Sequence, residues 1–263
     1  MTSQRSEILD EMGLTPRWVR RQVPVAPPVV AAVAPPAETR VAAPPAILTR
    51  EIPAPAARDD DRAARIAALS WKEFATDVDA CNACGLCRTR NRSVPGVGDS
   101  EAEWMFVGEA PGAEEDARGE PFVGQAGRLL DNMLAALQMT RQRNVYIANV
   151  LKCRPPNNRT PEPAEATACQ PYLARQIALL RPRVIVALGK SAASLLLRTD
   201  ATIGSLRGRV HDYGGVPLIV TYHPAYLLRT PADKAKAWED LLLARRTVSG
   251  AAGSDRDGAS SVA

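Results

Sequence analysis

Glu109, Asn149 and His223 each stand just after a short apolar run, and each offers a different chemistry. A carboxylate such as Glu109 can orient water or face developing positive charge. Asn149 carries one acceptor and two donors, the complement of a planar ring edge that presents a carbonyl beside an N–H. His223 can donate to a developing oxyanion near neutral pH. Around them lie Gly108, Ala110 and Gly112, small enough for close approach of backbone to a ligand, with Pro111 to stiffen the turn. Phe122 sits between Pro121 and a small-residue turn, where an aromatic ring can serve as a stacking platform for a planar base. Taken singly, each has a plainer role: a strand-end Asn as a turn former, a loop His satisfied by its neighbours, a Phe as a core anchor.

Leu227, Leu228 and Arg229 follow His223 after Pro224-Ala225-Tyr226. An apolar wedge beside a cation suits a side chain that fills the gap left by an extruded nucleotide. The net charge of +4 is mild, but the basic side chains are overwhelmingly Arg. A guanidinium offers phosphate a planar fork. Arg154, Arg159, Arg207, Arg209 and Arg229 are embedded near the same segments, whereas the remaining arginines read as solvated surface charge.

Five cysteines are present: Cys81, Cys84, Cys87, Cys153 and Cys169. With no secretory segment ahead of them, disulfides are not expected. The Cys81-x-x-Cys84-x-x-Cys87 run has the tight spacing by which thiolates hold an iron–sulfur cluster. A structural zinc uses the same donors, so spacing alone leaves both metals open. Four thiolates close the coordination sphere, which makes the expected site structural rather than catalytic.

Those segments need a scaffold that brings them together. Apolar strand-like runs at Trp104–Val107, Val145–Ala148, Val184–Leu188 and Leu218–Tyr222 alternate with helical patterns. The helices are read at Ala126–Gln138, Glu162–Leu180, Lys190–Leu197 and about Ala232–Arg245. Strands alternating with helices imply parallel pairing and right-handed crossovers. The expected fold class is α/β: a three-layer α/β/α domain with a central, mostly parallel four-stranded sheet, preceded by a disordered linker. In such a sheet ligands bind beyond the carboxyl ends of the strands. Gly108–Gly112, Asn149–Pro156, Gly189-Lys190-Ser191 and His223–Arg229 all fall there.

The expected organisation is an amphipathic docking helix over 1–22, a Pro/Ala-rich linker over 23–62, the α/β body over 63–247 and a disordered tail over 248–263. Pro-rich chain behaves as an extended, semi-rigid spacer. The first segment either frays or lays its apolar face in a partner's groove. Its start is charged and lacks an apolar core, unlike a signal peptide, and no run of 18 apolar residues exists in the chain.

Four motifs together carry a resemblance. Gly108-Glu109-Ala110-Pro111-Gly112, Pro121-Phe122-Val123-Gly124, Asn149-x-x-Lys152-Cys153-Arg154-Pro155-Pro156 and His223-Pro224-Ala225-Tyr226-Leu227-Leu228-Arg229 resemble the family 4 uracil-DNA glycosylases, over about Ala64 to Arg246. The resemblance implies a monofunctional hydrolase that flips uracil out of DNA, cleaves the N-glycosidic bond and leaves an abasic site. It implies a 4Fe–4S cluster on Cys81, Cys84, Cys153 and Cys169, with Cys87 surplus or standing in for Cys84 or Cys81. It further implies a uracil pocket of Gly108, Glu109, Ala110, Phe122, Asn149 and His223, with Glu109, Asn149 and His223 catalytic, and DNA contacts through Arg154, Arg159, Leu227, Leu228 and Arg229. Ala110 stands where better-known relatives of the wider superfamily place a water-positioning Asp. A carboxylate must come from elsewhere, with Glu109 first and Glu115 and Asp116 behind it, or cleavage must rest on stabilising the leaving group.

The resemblance implies uracil-containing DNA, single- or double-stranded, as partner, and the amphipathic pattern of the first helix, which the resemblance does not cover, adds a protein reached through that helix. The implied state is a monomer in a bacterial cytoplasm, at the nucleoid. Rival readings are a glycosylase for other deaminated bases and a non-catalytic module binding DNA or a polymerase. Covalently trapping relatives carry a His-bearing basic loop after the second strand, where this chain has only Arg154–Thr160 without a His.

Overall fold

The computed structural model describes residues 56–257, with side chains from 61 to 250. The expected docking helix over 1–22, most of the linker and the end of the tail lie outside the described residues. Within them, the elements run α1 (Ala56–Ala68), α2 (Trp71–Ala80), β1 (Val97–Gly98), β2 (Trp104–Gly108), α3 (Ala113–Arg118), α4 (Gln125–Ala136), β3 (Val145–Asn149), α5 (Pro163–Leu180), β4 (Val184–Leu188), α6 (Lys190–Leu197), α7 (Ile203–Leu206), β5 (Val210–Tyr213), β6 (Val216–Thr221), α8 (Pro224–Arg229) and α9 (Lys234–Asp257). Helix α1 begins inside the stretch the sequence assigns to the linker, and α9 continues past residue 247 with Val248 buried.

The sheet has six strands in the order β1-β3-β2-β4-β6-β5. The four inner strands are mutually parallel and correspond to the four expected from sequence. The other two are antiparallel edges, so the four-stranded expectation is corrected to six. β1 is two residues long and leaves no periodicity to read. β5 is polar, alternately exposed, and joined to β6 through Gly214-Gly215, both at positive φ (59° and 88°). That dipeptide is a strong signal for a two-residue hairpin.

β2, β3 and β4 are buried at every position, as parallel strands covered on both faces must be. Their side chains alternate between two cores. Met105, Val107, Tyr146, Ala148, Ile185 and Ala187 pack with Leu173 of α5 and Leu196 of α6. Trp104, Phe106, Val145, Ile147, Val184 and Val186 pack with Leu130 and Leu134 of α4 and Leu241 of α9. These are the three layers. A third cluster joins α1, α2 and α5 through Ile66, Phe74, Val78, Cys169 and Tyr172.

Strand order reverses direction between β2 and β4, because β3 lies on one side of β2 while β4 and β6 lie on the other. This switch point splays the loops that leave the strands and opens a crevice at their carboxyl ends.

Candidate active site and thiol cavity

Gly108 and Asn149 are register partners on β2 and β3, side by side at the carboxyl edge of the sheet. A Cβ on Gly108 would lie 2.3 Å from Asn149 Oδ1 and 2.8 Å from Phe122 Cζ, so only glycine lets both side chains approach. A cleft of about 510 Å³ opens here. Its walls include Glu109, Ala110, Phe122, Asn149, His223 and Arg229. Segments separated by more than a hundred residues thus meet in one cavity because the parallel ladder aligns their ends.

Phe122 belongs both to the core beneath α4 and to the wall of the cleft. The stacking and core-anchor roles are therefore compatible. Its backbone is left-handed, φ 56°, a costly conformation for an aromatic residue that persists only where surroundings impose it. Arg141 supplies part of that restraint. It donates to the carbonyls of Pro121 (2.8 Å) and Phe122, and pairs with Asp131 (2.6 Å). Gly127 supplies more, since a Cβ there would lie 1.7 Å from the Phe122 carbonyl oxygen. Glu115 supplies the rest, accepting from the backbone N–H of Gly112 (3.1 Å) and of Val123 (3.0 Å). Its carboxylate staples the two loops that form the cleft, whose wall it shares. Asp116 accepts from the Asn91 backbone N–H (2.9 Å) and side-chain amide (2.6 Å), a structural role. Sequence reasoning missed Arg141 and Gly127; it named Glu115 as a candidate carboxylate but not as a staple between the two loops.

His223 caps α8, its Nδ1 accepting from the Ala225 backbone N–H at 3.1 Å. That bond fixes the tautomer with the proton on Nε2. Burial, with Arg229 nearby, pushes the imidazole pKa down to about 4, so the ring is neutral at physiological pH. It lies against Phe122 with ring centroids 5.5 Å apart. Glu109 is held above the usual carboxylate range by burial, opposed by the Ser191 hydroxyl. Its Oε1 is buried with no protein hydrogen-bond partner among the described residues.

Side chains expected to contact DNA divide. Leu228 is 42% exposed, but Leu227 is 1% exposed and lines an apolar pocket with Leu129, Met133, Trp238 and Leu241. Helical spacing explains this: on α8, adjacent residues point about 100° apart, so Leu227 turns to α4 and α9 while Leu228 turns outward. The expectation that Leu227 enters DNA is therefore not met by its position. Arg229 is exposed at the cleft. Arg159 also lines the cleft but is engaged as a two-pronged pair with Glu165 (2.6 and 2.9 Å). Arg154 donates to Asn158 Oδ1 at 2.7 Å. Arg207 is committed to Asp240 on α9 and lies over Tyr222.

All five cysteines are free thiols, and all five line one narrow cavity between α2, α5 and the turn after β3. Among the described residues, no three His, Cys, Asp or Glu side chains converge on a point that would hold a single metal ion. The thiols ring a common space instead. N–H donors face their sulfurs: Arg90 Nη1 to Cys153 (2.9 Å), the Lys152 backbone N–H to Cys169 (3.3 Å) and Arg62 Nη2 to Cys81 (3.5 Å). No carboxylate lines the cavity. Soft donors, cationic surroundings and the lack of acidic lining fit a negatively charged, thiolate-bound metal group.

An α/β/α scaffold with a base-sized cleft at its switch point, walled by a ring platform, an amide, a neutral imidazole and a carboxylate, defines a protein that handles a planar polar ring. Comparison with known proteins specifies which. Residues 95–242 match the model of the uracil DNA glycosylase superfamily. The type-4 uracil-DNA glycosylase of Archaeoglobus fulgidus is 46% identical over 170 residues, covering 62% of this chain and 85% of that protein. That of Thermotoga maritima is 46% identical over 161 residues, 60% of this chain and 83% of the relative. A type-5 uracil-DNA glycosylase from Pyrobaculum aerophilum is 34% identical over 154 residues, 52% and 67% of the two chains. The chain belongs to the uracil-DNA glycosylase superfamily and, within it, to the type-4 family.

Proposed function

We propose that this protein is a DNA-repair glycosylase that removes uracil from DNA by hydrolysing the N-glycosidic bond and leaving an abasic site. The observation that carries the reading is the meeting of Asn149, Phe122, neutral His223 and Glu109 on one cleft, in a member of the type-4 family.

The substrate nucleotide leaves the duplex or single strand and enters the cleft. Arg229 meets the phosphate backbone, and Leu228 takes the space the base vacated. Phe122 stacks on the uracil ring. The Asn149 amide pairs with the carbonyl and N–H of its edge, and the closeness of the walls excludes a 5-methyl group. As the bond to the sugar breaks, negative charge grows on the uracil and positive charge on the sugar. The Nε2–H of His223 donates to the developing uracil anion; a neutral donor suits this step because its proton stays in place. Glu109 accepts from the attacking water or faces the oxocarbenium-like sugar, and its unpartnered Oε1 supports that role.

Cys81, Cys84, Cys153 and Cys169 would hold a 4Fe–4S cluster, with Cys87 left over. Five thiols on one cavity, with N–H donors facing three of their sulfurs, support such a group. Such a group supplies cross-links between segments distant in sequence and no bond-breaking chemistry. Among the described residues no helix is long and apolar enough to cross a membrane.

The test uses a labelled oligonucleotide with one uracil, followed by alkali. Strand scission that is absent from a thymine control is expected. Asn149→Ala should lower kcat/KM by about a thousandfold, the scale of a lost donor in a preorganised site. Arg229→Ala should cost about tenfold or less, as for one phosphate contact. Equal, small effects of the two variants would sink the assignment.

A further inference from the structure

We propose that Lys152 is a positioning residue for Asn149, coupling the base-reading side chain to the thiol cavity; the inference rests on the uracil-reading role given to Asn149 above.

Lys152 is 1% exposed, and its ammonium's hydrogen bonds among the described residues go to neutral oxygens, not to a carboxylate. A buried ammonium without a counter-charge is costly, and an apolar side chain of the same length would fill the space more cheaply. Its contacts show what it is there to hold. Lys152 Nζ donates to the Asn149 backbone carbonyl at 2.7 Å and to Gln176 Oε1 at 2.5 Å. Gln176, itself fully buried on α5, donates through Nε2 to the Pro95 carbonyl (2.6 Å) and to the Tyr146 hydroxyl (3.1 Å). The Lys152 carbonyl accepts from Val94 at 2.8 Å, and its N–H faces Cys169 Sγ at 3.3 Å.

Asn149 is thereby gripped from both sides. Its sheet side is the β2 ladder, where Val150 donates to Gly108 (2.9 Å) and Leu151 to Glu109 (3.0 Å). Its other side is the lysine, which folds back over one turn of chain and ties the Asn149 carbonyl to α5 and to the segment before β1. The ammonium bridges the turn bearing Asn149 to Gln176, and its own backbone lies between Cys153 and Cys169, two of the proposed cluster ligands. Metal-bound thiolates would provide the negative field that makes a buried cation tolerable beside neutral carbonyls. Lys152 would thus convert an occupied thiol cavity into a fixed direction for the Asn149 side chain. Errors near 1 Å in such a side chain can cost about a hundredfold in rate.

The experiment is a double-mutant cycle on the full-length, metal-loaded protein, comparing wild type, Lys152→Met, Asn149→Ala and the pair. Three quantities are measured: kcat and KM separately on a uracil oligonucleotide, affinity for free uracil, and iron per chain. We expect Lys152→Met to keep its iron, to lower kcat at least tenfold with little change in the KM for DNA, and to weaken free uracil at least fivefold. In the Asn149→Ala background the same substitution should change nothing further, because it acts through that side chain. Effects that multiply in the pair, or a Lys152→Met protein with unaltered uracil affinity, would overturn the inference. A negligible effect of Asn149→Ala by itself would instead remove the reading on which it rests. If Lys152→Met does not accumulate, Lys152→Gln keeps a donor without the charge. It should then fall between wild type and Asn149→Ala in uracil affinity, and wild-type affinity would count against the proposal.

Discussion

His223 and Glu109 are shifted in opposite senses by the same cause, burial beside the cleft. The imidazole is pushed down to about 4, so it stays neutral and keeps donating through Nε2 down to that pH. The carboxylate is raised, so it loses its charge at a higher pH than an ordinary glutamate. The acid limb of kcat/KM should therefore belong to Glu109, lying above the usual carboxylate range, with no inflection near the ordinary histidine value of about 6.5. A pH–rate profile checks this. Glu109→Gln should lower the plateau and remove the limb, whereas an inflection near 6.5 that vanishes in His223→Gln would show a histidine charged in the working enzyme. At this scale the sequence picked out side chains that prove to line one cleft and was silent about their state. Residue type and position after a strand marked Glu109, Asn149 and His223. The tautomer of His223 depends on the Ala225 N–H, and the burial that shifts both groups comes from distant segments.

Among the elements, the loop from Gly108 to Gly124 and helix α4 act as one part. Phe122 adopts its left-handed backbone because Arg141, Gly127 and Glu115 leave no alternative. Gly127→Ala forces the Phe122 carbonyl to move, since no rotamer can relieve a backbone clash at 1.7 Å. We expect a loss of about 1–3 kcal/mol in stability, the scale of overpacking a tight site, and a larger proportional loss of free-uracil binding. Denaturant unfolding and calorimetry on the same protein separate the two; retention of full uracil affinity would show that the Phe122 turn tolerates displacement. The inner strands and main helices were legible because buried parallel strands read as continuous apolar runs and α4 repeats its leucines at helical spacing. The edges were not. β1 is too short to carry a pattern, and β5 owes its place to the Gly214-Gly215 turn rather than to its own alternation. Leu227 was misplaced for the related reason that an apolar pair on a short helix does not say which member faces in.

Across the whole molecule, the cleft and the thiol cavity sit on either side of the turn from Asn149 to Cys153. Replacing Cys87 by Ser should leave iron content and uracil excision near wild type. Cys169→Ser should lose iron and stability together, because its side chain is buried against Tyr172 and Leu151 in the cluster that fastens α1 and α2 to α5. Iron analysis and thermal unfolding decide it, and a Cys87→Ser protein that arrives without iron would reassign the ligands. The spacing of Cys81, Cys84 and Cys87 pointed to a metal without giving its members, and only the resemblance added Cys153 and Cys169. That these two line one cavity with the others follows from the packing of α5 against the turn after β3, which no local pattern reports.

The walls of the thiol cavity are drawn entirely from Val78 to Tyr172. The cleft waits for His223, about fifty residues later. A chain made from its amino end thus carries every side of the cavity before β4 and β6 have been synthesised. All five thiols are therefore translated ahead of the histidine that completes the cleft.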